Sequence, residues 1–332
     1  MNKSTPILVL GSNSFSGSSF IDQLLSEGLN VIGVSRSREL ITPFRTYNDK
    51  VSSQNFVFKQ IDGNNSPESI AEIVREFRVE YVFNFIAQSM VSESWISPEH
   101  WYQTNIVSIS KLCNLLLKIK TIKKFVQFTT PEVYGSTNGL MHENFDFAPS
   151  TPYAISRAAG DWHLKSLFLN YGFPVIFTRA SNVYGSGQDL YRIIPRAILL
   201  ALTGQKLPLH GGGKSLRSFI HIRDVSSALM AILEDGRIGD SYHISTNEMI
   251  SIHDLVKNIA HLLNVDLGDL IYQAEERPGK DLTYQLSSEK IRKELGWEDQ
   301  ISLTAGLEST VKWVKLNLET LKSLPTTYEH KQ

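Results

Sequence analysis

Cysteine is almost missing from this chain: Cys113 stands alone among 332 residues. No intrachain disulfide can form, and a reducing compartment is expected. The surrounding Leu112-Cys113-Asn114-Leu115-Leu116-Leu117 reads as helix, where a lone thiol packs as a small hydrophobe more readily than it acts as a nucleophile. Charge of one sign is missing too. With 33 basic and 34 acidic residues the formal net charge is −1, which gives no global attraction to nucleic acid or to an anionic membrane. Phosphate recognition therefore has to be local. Long apolar runs are absent as well, and Ile7-Leu8-Val9-Leu10 at the N-terminus is far too short for a signal core or a membrane span. A cytoplasmic location is expected, with neither nucleic acid nor membrane as partner. The nine histidines show no His-x-His spacing and no pairing with carboxylates, so no metal site is expected. Gly211-Gly212-Gly213-Lys214-Ser215 lacks the leading strand and spacing of a P-loop.

What is present is ordinary globular composition, 42% apolar and 20% charged, over a length that suits one large α/β unit or two lobes. Short apolar runs at Ile7–Leu10, Val31–Val34, Phe56–Lys59, Tyr81–Phe85, Phe125–Phe128 and Val175–Thr178 read as strands. Helical stripes separate them, as in Ile70, Ile73, Val74 and Phe77, or Phe20, Leu24 and Leu25. This alternation predicts an α/β fold with a doubly wound parallel sheet of Rossmann type and ligands at the carboxyl ends of the strands. After Asn182 turns become frequent. The expected organisation is a dinucleotide-binding domain over residues 1–181, with 218–245 returning to it. A smaller substrate lobe would take residues 182–217 and 246–322, and a polar tail, 323–332, would wrap the surface or fray.

Gly11-Ser12-Asn13-Ser14-Phe15-Ser16-Gly17 follows the first strand and opens a helix, the context that a dinucleotide fingerprint needs. Glycine lets the backbone approach a pyrophosphate, whose charge would meet the amides and dipole of the helix start. Ser14 has two readings there, as a phosphate donor or as a residue that crowds the turn. The second strand ends in Ser35-Arg36-Ser37, with no acid before Glu39. An arginine between two hydroxyls is a cradle for a 2′-phosphate, so NADP is favoured and NAD is the alternative. A plain solvated basic turn is the bland reading.

Thr130-Pro131-Glu132-Val133-Tyr134-Gly135 and, 23 positions after Thr130, Tyr153-Ala154-Ile155-Ser156-Arg157 carry the chemistry. A tyrosine can take a proton from a hydroxyl only if its pKa, near 10 when unperturbed, is lowered. A cation one helical turn away, here Arg157, would stabilise the phenolate. Together with the N-terminal fingerprint these stretches resemble the extended short-chain dehydrogenase/reductase family and, within it, the nucleotide-sugar 4,6-dehydratases of the dTDP-glucose and GDP-mannose type. The resemblance implies that Tyr153 is the base on the C4 hydroxyl, Thr130 holds the C4 oxygen and Glu132 takes the C5 proton. Two departures stand out. Arg157 occupies the family's lysine position, and Pro131 the position where dTDP-glucose members have an aspartic acid.

The same resemblance assigns the remaining site residues. Asp62 and Gly63 after the third strand would meet the adenine side. Ile86, Ala87 and Gln88 would run beneath the cofactor, with Ser89 facing the sugar. Thr104-Asn105 matches the family's Thr-Asn, although an ordinary mid-helix polar pair is an equal reading of those residues. Asn182, Arg217, Arg277 and Lys280 would bind the diphosphate of a nucleotide-sugar substrate. The implied enzyme is a lyase that oxidises C4, eliminates water across C5 and C6 and returns the hydride to C6. A 4-epimerase or 4-dehydrogenase without elimination is the alternative, and a non-catalytic NAD(P)-sensing protein a third. Surplus apolar residues on helices near Pro98–Lys118 and Pro152–Leu169 predict a homodimer.

Overall fold

The protein is described from a computed structural model covering residues 5–47, 55–137, 139–275 and 285–330. Seven strands form its main sheet: β1 (Ile7–Leu10), β2 (Val31–Ser35), β3 (Phe56–Gln60), β4 (Tyr81–Asn84), β5 (Lys124–Thr129), β6 (Val175–Ala180) and β7 (Ser241–Ile244). Their order is β3-β2-β1-β4-β5-β6-β7 and every pairing is parallel. Strand β1 is buried at all positions, Ile7 pairing with Val31 on one side and Tyr81 on the other. Apolar residues pointing both ways are what a sheet covered on both faces demands. The order reverses between β1 and β4, which opens a crevice at their carboxyl ends.

Helices α1 (Phe15–Ser26) and α2 (Pro67–Glu76) follow β1 and β3. Next come α3 (Pro98–Tyr102) and α4 (Ile109–Leu116), then α5 (Pro152–Tyr171) before β6. Local signals fix α5 at both ends. The Thr151 hydroxyl accepts from the Ala154 amide, Pro152 takes the first position, and Gly172 ends the helix in the left-handed region at φ 68°. One core, between α1, the sheet and α7 (Ile222–Asp235), holds Phe20, Leu24, Val9, Phe83 and Leu229. The other joins α2, α4 and α5 through Ile70, Val74, Leu112, Cys113 and Leu164. Cys113 is fully buried, and its thiol is pushed up by that burial.

The sequence read a single helix over Pro98–Lys118. A π-helical segment, Gln103–Ser108, instead separates α3 from α4. A short strand at Phe219–His221 pairs with Asn182–Tyr184 outside the main sheet, while β7 forms the sheet's edge beside β6. A helix at Leu303–Leu316 is followed by a short turn of helix at Leu318–Leu321. Helix α6 (Ile193–Leu202), α8 (Ile252–Leu263) and Leu303–Leu316 enclose a third core containing Ile198, Leu255, Ile259 and Leu307. No helix among the described residues is long and apolar enough to cross a membrane.

Candidate active site

A cavity of about 1030 Å³ opens at the carboxyl ends of β1, β2, β4 and β5 and extends toward α6. Its first wall is the turn into α1. Gly11 has φ +75°, and a Cβ there would stand 2.8 Å from the Phe85 carbonyl carbon. A Cβ on Gly17 would lie 2.4 Å from the Gly11 oxygen. Both positions therefore require glycine. Ser14 Oγ donates to the Gly11 carbonyl at 2.7 Å and accepts from the Gly17 amide at 3.0 Å. The hydroxyl is thus the N-cap of α1, which accounts for a serine at the middle position of the fingerprint. Asn13 ties this turn to the next one, donating through Nδ2 to Ser37 Oγ at 2.9 Å and to the Arg38 carbonyl at 2.7 Å.

Phe15, Ser16, Ser35, Arg36 and Ser37 continue this wall, as do Asp62, Gly63, Ile86, Ala87 and Thr104. Glu39, the first acid after β2 in the sequence, is off the cavity wall and pairs with Tyr47 Oη at 3.0 Å and Arg45 at 3.3 Å. Asn105, in the π segment, braces the floor. Its Oδ1 accepts from the Gln88 amide at 3.0 Å, and its Nδ2 donates to the Gln88 carbonyl at 3.0 Å and to Ser156 Oγ at 2.9 Å. Fully paired and buried, it couples the loop after β4 to α5.

Thr130, Glu132, Tyr153 and Arg157 meet on the opposite wall. Thr130 caps the turn Pro131–Tyr134 by accepting from the Glu132 amide, and its side chain also hydrogen-bonds that of Tyr153. Tyr153 sits in the first turn of α5, and Arg157, one turn further, donates through Nη2 to the Phe128 carbonyl. Burial pushes the Tyr153 phenol up from its ordinary value, and Glu132 adds to this. Arg157, the Thr130 hydrogen bond and Arg192 pull it back. Behind this wall Asp161 is fully buried and bound to Arg179 at 2.8 Å. Burial raises its pKa, while Arg179 and Arg157 oppose that rise.

Ser89, Asn182 and Arg217 line the far end. Asn182 Nδ2 donates to the Ser218 carbonyl at 3.1 Å, and Arg217 Nη1 to the Leu216 carbonyl at 2.8 Å. Arg277 and Lys280 lie outside the described residues. Every other predicted site residue lines the cavity except Gly17, which packs behind Gly11, and Asn105, which braces Gln88 from behind. Sequence reading missed Tyr191, Arg192, Arg196, His210 and the tail residues 324, 325 and 327–329, all on the cavity wall. Arg192 Nη2 reaches Ser89 Oγ at 3.5 Å. A signal was available: two arginines four apart at the head of a helix oppose its dipole, an arrangement that an anionic ligand offsets. Among the described residues no cluster of three or more His, Cys, Asp or Glu is placed to hold a metal.

The profile of the family described as GDP-mannose 4,6 dehydratase matches residues 8–310. The chain belongs to this family. It is similar to the dTDP-glucose 4,6-dehydratase of Haemophilus influenzae, 30% identical over 334 residues that cover 94% of this chain and 98% of that one. It is also 30% identical over 318 residues to the trifunctional UDP-glucose 4,6-dehydratase/UDP-4-keto-6-deoxy-D-glucose 3,5-epimerase/UDP-4-keto-L-rhamnose-reductase RHM1 of Arabidopsis thaliana. That match covers 94% of this chain but 47% of the relative, so the chain spans about half that protein's length. Among solved structures, DesIV, a dTDP-glucose 4,6-dehydratase of Streptomyces venezuelae with NAD and TYD bound, superposes with a TM-score of 0.88. It is 28% identical, and the match covers 96% of this chain and 100% of that one.

Proposed function

We propose that this chain is a nucleotide-sugar 4,6-dehydratase that forms a 4-keto-6-deoxy sugar with a retained nicotinamide cofactor. One observation carries the reading: Thr130, Glu132, Tyr153 and Arg157 share a wall of a cavity that joins a dinucleotide turn to the arginines Arg192 and Arg217. The turn fits the cofactor, since the glycine backbone at Gly11 and the capped start of α1 form an amide cradle at the positive end of a helix. A nicotinamide bound in that cradle would supply the hydride acceptor for C4 and the hydride donor for C6. Tyr153 takes the C4 hydroxyl proton, and Arg157 and Thr130 stabilise the phenolate. The new ketone acidifies C5, and Glu132 removes that proton as the C6 hydroxyl leaves. Pro131 is buried and has neither a side-chain proton nor an N–H to give. Glu132 therefore passes on the proton it has taken, and water leaves.

Pro131 is also what favours the second reading, a 4-epimerase or 4-dehydrogenase that stops at C4 oxidation. Incubation with GDP-, dTDP-, UDP- and CDP-sugars followed by mass spectrometry decides between them. Loss of water supports the dehydratase, and exchange at C4 without loss of water refutes it. Within the first reading the cofactor is NADP. Arg36 lies on the wall between Ser35 and Ser37, and Glu39, the first acid after that turn in the sequence, is held by Tyr47 and Arg45. DesIV itself holds NAD, so cofactor extraction is a strict test. The enzyme works in the cytoplasm as a homodimer. Among the apolar residues of the first of these stretches, Trp101, Ile109, Leu112 and Leu116 are buried in the subunit. Val107, Ile155, Trp162 and Leu169 remain exposed on the same helices and supply the face that pairs.

A further inference from the structure

Residues 324–330 leave the smaller lobe and bridge to the opposite rim of the cavity. Leu324 is packed against the third core, and Pro325, Thr327, Tyr328 and Glu329 line the cavity beyond it. Tyr328 Oη donates to Gln88 Oε1 at 3.4 Å, and its ring meets Tyr191 edge-on at 5.2 Å. The next turn of chain reaches α3. His330 stacks on the buried Trp101 at 5.0 Å with the planes 14° apart, and its Nε2 lies 2.8 Å from His100 Nδ1. Tyr328 lines the same cavity as the Ser35-Arg36-Ser37 turn.

A polar segment outside the regular elements orders only where contacts offset the entropy lost. Here the contacts are aromatic and specific, and they fall on both sides of one cleft. They engage Gln88, whose backbone Asn105 already fixes as the cavity floor. We propose that residues 324–330 are a strap that retains the dinucleotide, which leaves only when Tyr328 and His330 let go of Gln88, Tyr191 and Trp101. The inference rests on the dehydratase reading and gives the strap a purpose. Two electrons leave C4 and return to C6, so the cycle ends with the cofactor in its starting state. Exchange is not needed at any turnover, and a closed strap does not slow the reaction.

The test uses the full chain, Tyr328→Ala, His330→Ala and a chain ending at Ser323. Each is loaded with reduced nicotinamide cofactor and chased with excess oxidised cofactor, and release is followed by nicotinamide fluorescence. Each single variant is expected to release the cofactor roughly three- to tenfold faster, the value of one such contact, and the shortened chain faster still. Thermal melts establish that the variants are folded, and the two point variants carry the test if the shortened chain is not. Unchanged release in folded variants overturns the strap alone. Slower release from the shortened chain also overturns it, because the tail would then be an obstruction. A full chain that takes up no nicotinamide cofactor overturns the strap and the dehydratase reading together.

Discussion

Replacing Glu132 by glutamine separates the two halves of the proposed reaction. The change is isosteric, and the hydrogen bond that fixes the turn, from the Glu132 amide to Thr130 Oγ1 at 3.3 Å, uses only backbone on the Glu132 side. The turn and the Thr130–Tyr153 contact should therefore survive. What is lost is a base. Removing a positioned general base costs about 10²–10⁴ in rate, or about 3–5 kcal/mol of barrier. Pro131 offers no substitute proton carrier, which places the expected loss near the upper end. Oxidation at C4 should respond in the opposite sense. The Glu132 carboxylate is one of the groups that raise the Tyr153 pKa. Without that charge the phenolate forms at lower pH, and the pH profile of the oxidation phase moves toward acid. Rapid mixing of Glu132→Gln with one equivalent of substrate should show reduced nicotinamide accumulating and persisting, with no loss of water by mass spectrometry. An equal loss of both phases would refute the reasoning, because it would make Glu132 a structural support for Tyr153.

Other perturbations test the surroundings. Arg36→Ala should abolish any preference for NADP, a change of roughly tenfold or more in relative affinity, and extraction of NAD alone from the wild-type chain would contradict the assignment. Asp161→Asn strands the buried Arg179 charge and should cost about 3–5 kcal/mol, lowering the melting midpoint by roughly 4–7 °C in a chain of this length. The pair Asp161→Leu with Arg179→Met should lose less than Asp161→Leu alone. Burial, with Arg223 adding to it, pushes His221 down to about 4 in the folded chain. Its contribution to stability is complete above the unfolded value near pH 6.5 and declines as pH falls toward 4, by up to about 1.4 kcal/mol per pH unit. Asparagine at 221 keeps a side-chain acceptor at the N-cap of α7, so the melting midpoint of His221→Asn should vary less across that window. Trp162→Asp should convert the proposed dimer to monomer in light scattering, and a wild-type monomer that remains so with cofactor and nucleotide sugar present would exclude the interface.

The alternation of strands and helices was legible because it is written locally. Each parallel strand is a short apolar run, and α1 and α5 carry their caps in adjacent residues. Tyr153 and Arg157 were legible for the same reason, one turn of helix fixing their spacing. The π segment was not. One inserted residue turns the helical face by about 100°, so a 3.6-residue period run across Pro98–Lys118 assigns its apolar residues to wrong faces. Trp101, Ile109, Leu112 and Leu116 are buried, so the apolar surplus read on this stretch is smaller than its composition suggests. Tyr191, Arg192 and the tail were illegible for another reason. Tyr328 meets Gln88 across 240 positions and His330 meets His100 across 230, separations that no local pattern encodes.

The two departures from the dehydratase pattern fall on either side of Tyr153 and have physical accounts that point the same way. A lysine ammonium is a single centre. The planar guanidinium of Arg157 can donate to the Phe128 carbonyl at the end of β5 while keeping its charge close to the phenol. The longer side chain is thereby anchored to the sheet that also carries Thr130. Pro131, for its part, stands at the first position of the turn Pro131–Tyr134. Its fixed φ suits that place, where a missing N–H is no loss. The turn then presents the Glu132 amide to Thr130. A residue with no proton to give is thus used to set the geometry of its neighbour. On the proposed mechanism, the proton transfers that the dTDP-glucose resemblance assigns to two side chains would fall here on one carboxylate, that of Glu132.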